Sequence, residues 1–154
     1  MKKQHFKIRI NAPAETVYDK MLGLTEKSTY EQWTAKFNPT STYKGKWEKG
    51  SKIHFLGSND QGEIGGMVSE IADLIPNKFV SIRHYGLLSG DKEITEGPEV
   101  EKWAGGFENY TFTNDNGATL VQVDLDTNED FVDYMNDTYP KALEELKAVC
   151  EGKG

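Results

Sequence analysis

The sequence predicts an α+β domain in which an antiparallel sheet carries its helices on one face. Three observations carry this. Two helical patterns follow the first strand directly. A series of strand-like runs separated by turn residues fills the middle of the chain. A long apolar stripe at helical spacing then occupies the C-terminal end.

Residues 5–10, HFKIRI, set Phe6, Ile8 and Ile10 against Lys7 and Arg9, the alternation of a half-buried strand. Pro13 suits a first helical position, where its missing N–H would have no partner anyway. The helix it opens runs to about Gly23, with Val17, Tyr18 and Met21 on its apolar face. Thr25 is placed to cap a second helix through Phe37, on which Tyr30, Trp33 and Phe37 share a side, and Pro39 stops it.

Strands are expected over residues 42–47, 51–56, 63–75 and 78–87, divided by Glu48-Lys49-Gly50, Gly57-Ser58-Asn59-Asp60 and Pro76-Asn77. Residues 89–102, SGDKEITEGPEVEK, show no period and read as a long acidic loop. Strand character returns over 103–113 and 118–126, around the hairpin turn Asn114-Asp115-Asn116-Gly117. Thr127-Asn128-Glu129-Asp130 resembles a capping box with Asp in place of Glu, and it opens a helix over about 129–151. Phe131, Tyr134, Met135, Thr138, Ala142, Leu146 and Val149 form its stripe, and Pro140 predicts a kink near Tyr139. The order is β-α-α-β-β-β-β-β-β-α, seven antiparallel strands and three helices in a single domain over residues 1–154.

The composition fits a folded globule, with 36% apolar and 28% charged residues. No apolar run approaches the ~20 residues of a membrane span. The basic N-terminus alternates and so reads as a strand rather than a signal peptide. The only cysteine, Cys150, excludes an internal disulfide, and a cytoplasmic location is the expectation. The net charge of −7 argues against nucleic-acid binding. The charge is uneven: residues 1–60 carry +5 and the remainder −12. The two halves either lie against each other or leave an acidic face for a basic partner.

His5, His54 and His84 lack metal-ligand spacing, and no metal or cofactor is expected. There is no Gly-rich phosphate loop and no nucleophile elbow; Gly65-Gly66 and Gly105-Gly106 lie near strand starts, where glycine marks bends. His84 is the leading single candidate, because it shares a strand face with Val80 and Ile82. If the opposite face is inward, Arg83 supplies the charge instead. Glu70 and Glu108 are the carboxylates that burial could turn into acids, and His84 with Glu108 is the candidate pair if the protein is an enzyme. Three Trp, seven Tyr and seven Phe supply large aromatic surfaces with polar tips, the material of either an ordinary core or a ligand cavity.

The segments INAPAETVYDKM, WEKGSKIHF, GGMVSEIADLIPNKFVSIRH and ENYTFTNDNGATLVQVDLD, with the later YPKALEELK, are similar to the bacterial branch of proteins resembling the activator of the heat-shock protein 90 ATPase. Over nearly the whole chain, the order resembles the helix-grip fold of the START-related superfamily. That resemblance implies a curved sheet around the C-terminal helix with a cavity between them. In the superfamily such cavities hold lipids, sterols, hormones or polyketides, and in some members the cavity is an active site. The chain departs from the eukaryotic co-chaperone, which carries an additional N-terminal domain.

The expected function is binding of a small hydrophobic molecule, without cofactor. The expected lining is Trp33, Phe55, Val68, Ile82, His84, Trp103, Tyr110, Phe112, Tyr134, Met135 and Thr138, with residues 89–103 as a cover. One alternative is a cyclase, dehydratase or hydrolase using His84 with a carboxylate. Another is a stress-related interaction protein that meets a chaperone through its acidic surface. Monomer and homodimer both remain open.

Overall fold

The first strand, β1 (Lys2–Ile10), is followed by two helices, α1 (Ala14–Leu22) and α2 (Lys27–Thr34). Then come β2 (Thr42–Gly45), β3 (Lys52–Ser58), β4 (Ile64–Ile75), β5 (Phe79–Ser89), β6 (Lys92–Ile94), β7 (Gly106–Asp115) and β8 (Ala118–Thr127). A 3-10 turn, Glu129–Phe131, leads into α3 (Val132–Cys150). These elements are those of a computed structural model, which describes residues 1–152.

The strands form one antiparallel sheet in the order β1-β8-β7-β5-β4-β3-β2, with β6 paired to β5 in line with β7. The fold is the expected α+β arrangement, with α3 lying along the sheet. Among the described residues it has eight strands rather than seven, because residues 92–94 inside the expected loop pair with β5. Gly90, at φ 63°, and Asp91 make the two-residue turn that returns the chain from Ser89 to Lys92. Beyond β6, Val100 is buried, so this acidic segment is anchored rather than free.

The helix starts also differ from the reading of the sequence. Thr127 is still paired with Lys2 in the sheet, so its backbone is extended; Asn128 caps the following turn by accepting the Asp130 N–H. Thr25 turns back to Asp19 of α1, and α2 begins without a side-chain cap. α3 is continuous through Pro140.

The core lies between the inner face of the sheet and the three helices. Val17, Met21 and Leu22 of α1, Trp33 of α2, and Leu143 and Leu146 of α3 are almost wholly buried against Ile10, Ile53, Ile71, Val80 and Ile82. Full burial of each such side chain contributes about 1.5–3 kcal/mol. Trp33 donates its indole N–H to the Met21 carbonyl at 2.8 Å, locking α2 onto α1. Gln4 of β1 donates to the Val132 carbonyl at 3.2 Å and to Asn136 at 2.8 Å, fixing the start of α3 over the sheet.

Candidate binding cavity

Helical spacing places Tyr30 and Trp33 along one side of α2, which ends at Thr34 rather than reaching Phe37; Phe37, in the turn that follows, borders the space that they face. Tyr134, Met135 and Tyr139 of α3 face the same space, and Phe55, Met67, Leu87 and Leu88 close it from β3, β4 and β5. Together they enclose a cavity of about 790 Å³. Its mouth carries Ile64, Phe131 and Tyr134, large apolar groups that are each about half exposed. The Tyr134 hydroxyl donates to the Phe37 carbonyl at 3.2 Å and straps α3 to the segment after α2 beside that mouth.

The deep end is polar. Val80, Ile82 and His84 point inward, which settles the face of β5 that periodicity left open. The His84 Nδ1 lies 2.6 Å from the Ser69 hydroxyl, and its Nε2 lies 2.9 Å from Glu108 Oε1. The Tyr139 hydroxyl donates to the other oxygen of Glu108. Burial alone would push the Glu108 carboxyl up. The hydrogen bond and Coulombic attraction of His84, with the hydroxyls of Tyr139 and Tyr110, outweigh burial and hold it below the ordinary carboxylate value. Burial and the Glu108 charge push the hydroxyls of Tyr139 and Tyr110 well above their usual value, so both remain protonated donors.

The floor therefore contains a Ser–His–Glu chain whose serine is wholly buried. A substrate could not reach that hydroxyl, so the chain is no nucleophilic triad. Glu70, by contrast, is paired with Arg83 at 2.6 Å on the outer face. Among the described residues no group of three or more His, Cys, Asp or Glu is placed to hold a metal ion.

Of the residues expected to line the cavity, Trp33, Phe55, His84, Trp103, Tyr110, Tyr134 and Met135 do so. Trp103 reaches its edge because the neighbouring Gly105 N–H donates to the His84 carbonyl at 2.8 Å. Ile82, Phe112 and Thr138 are buried but do not line the cavity; Ile82 and Phe112 belong to the packed core. Val68 is on the outer face, since Met67 and Ser69 take the inner positions and side chains alternate along a strand. Tyr30, on the same helical side as Trp33, also lines the cavity, as do Leu87 and Leu88, for which the sequence carries no signal. Ser69 was readable as an inward residue from its alternation with Met67 and Ile71.

No protein-family model and no curated protein matches the chain. Solved structures do. The Aha1 dimer of Colwellia psychrerythraea is similar over 100% of both chains, at 25% identity and a TM-score of 0.71. A Mesorhizobium loti protein matches over 99% of both chains, at 16% identity and a TM-score of 0.72. CalU16 of Micromonospora echinospora matches 99% of this chain and 76% of its own, at 14% identity and a TM-score of 0.64.

Proposed function

From the premise that this chain is a helix-grip protein of the START-related superfamily, similar to an Aha1 homologue, we propose that it binds a small hydrophobic molecule between sheet and C-terminal helix. The carrying observation is the cavity itself. Its volume of about 790 Å³ falls within the roughly 300–1,000 Å³ of small-molecule sites, and its walls are mainly apolar and aromatic. The proposed contacts are Trp33, Phe55, His84, Trp103, Tyr110, Tyr134 and Met135. Extraction of the purified protein under denaturing conditions, followed by mass spectrometry, should release an apolar molecule; stripped protein should then bind Nile red saturably. If no molecule is released and Nile red does not bind, the reading is overturned.

A second reading is acid–base chemistry on the bound molecule. The contact of His84 with Glu108 at the cavity floor favours it. The occupation of both imidazole nitrogens argues for binding first, because a base needs a free lone pair to take a proton. For partners, the Colwellia protein is a dimer, and we carry self-association over as a proposal that sedimentation would test. A chaperone-type contact through the acidic surface would weaken with salt in a pull-down.

A further inference from the structure

We infer that the cavity sorts its ligands by charge: it accepts apolar molecules whose polar end is neutral or cationic, and it turns away those ending in a carboxylate or phosphate. This rests on the binding reading above and narrows its ligand class.

Among the described residues that line the cavity, the charged side chains are Glu63, Glu108 and Asp126; none is Lys or Arg. Asp126 accepts from Lys3 at 2.9 Å and from the Phe107 N–H at 3.0 Å, which neutralises it from outside the cavity. Glu108 at the floor is ionised and faces His84. With the imidazole neutral, the pair carries one negative charge. With it protonated, the pair carries none. In neither state does the floor become positive.

An anionic head needs counter-charge or several donors to offset the water it loses. Four aromatic donors that line this cavity are already committed. The Trp33 indole N–H goes to Met21, that of Trp103 to Glu99, and the Tyr134 hydroxyl to Phe37. The Tyr139 hydroxyl goes to Glu108. A buried anion would meet these groups turned away and a carboxylate facing it. A hydroxyl or carbonyl sheds water at a far lower cost. An ammonium instead gains the attraction of the Glu108 carboxylate at the floor.

The test is displacement of Nile red at neutral pH by dodecylamine, dodecanol and dodecanoate, each kept below its micelle concentration. The amine and the alcohol should compete, and dodecanoate should be weaker by roughly tenfold or more. Glu108→Gln should narrow the gap between amine and carboxylate. Dodecanoate competing as well as the other two would overturn the charge inference and leave the binding reading intact. So would Nile red binding that neither amine nor alcohol displaces. Nile red failing to bind would overturn the binding reading and this inference with it. If Glu108→Gln fails to fold, the order of the three probes on the unaltered protein decides.

Discussion

His84 and Glu108, 24 residues apart in sequence, meet across β5 and β7 with Nε2 2.9 Å from Oε1, and neither side chain is more than 16% exposed. The register sets Ile82 opposite Glu108, so the imidazole reaches diagonally along the inner face to the carboxylate. This contact gives the deep end of the cavity its charge, and it sets a pH dependence.

The carboxyl of Glu108 is held below its ordinary value in the folded protein. The unfolded chain therefore takes up the proton first on acidification. The stability that this group contributes is fully present above about pH 4.5, the unfolded value, and is lost as pH falls through the lower folded value. Glu108→Gln keeps the shape but replaces one acceptor oxygen with an NH2 group. The melting-temperature advantage of the unaltered protein over this variant is expected to shrink below about pH 4.5. Paired thermal melts check it, and an advantage that grows on acidification contradicts the assignment.

Gly65 and Gly66 both line the cavity, and their backbones make opposite demands. Gly66 sits at φ 149°, and a Cβ there would lie 1.8 Å from the Phe55 carbonyl oxygen. A Cβ on Gly65 would meet only the Leu88 carbonyl, at an ordinary 3.5 Å. Gly66→Ala should therefore cost more than about 2 kcal/mol, whereas Gly65→Ala should stay within about 0.5 kcal/mol. Urea unfolding of the two variants decides, and equal midpoints would refute the clash.

The fold was legible where local chemistry was one-sided. Asn116 and Gly117, at φ 54° and 89°, take the left-handed conformations that their residue types foretold for the hairpin turn. The strands they join alternate cleanly. The face of β5 was not legible, because Ser81 and Gly86 are buried on its outer side and leave little contrast between the faces. An irregular register opposite Ser69 and Val68 shifts its phase against β4 as well. The three residues of β6, Lys92, Glu93 and Ile94, are too few to carry a strand pattern. At the site, the aromatics could be nominated one by one. Which of them face empty space depends on how α3 sits over the sheet, and that is set by long-range contacts such as Gln4 with Asn136.

Cys150 closes α3 with its thiol in apolar surroundings. Burial pushes its pKa up to about 12, and nearby Lys20 offsets this only in part. Since the thiolate is the reactive form, Cys150 should react with a disulfide reagent at neutral pH far more slowly in the native protein than in the denatured chain. Stopped-flow absorbance gives both rates, and equal rates would show the thiol to be accessible and ordinary.

Ile82 and Met135 separate the core from the cavity wall. Ile82 has no exposed surface and touches packed neighbours on all sides. Truncation to Ala there opens a new void and should cost about 2–5 kcal/mol. Met135 already borders empty space, so its outer atoms have fewer partners to lose, and Met135→Ala should cost about 1 kcal/mol. The effects on ligand should run the other way. Met135→Ala removes a wall and should weaken Nile red binding, while Ile82→Ala, if enough protein stays folded, should leave it nearly unchanged. Denaturant midpoints and probe titrations on the two variants measure both quantities. The reverse order, with Met135 critical to stability and Ile82 to binding, would mean that the space beneath α3 closes up in solution.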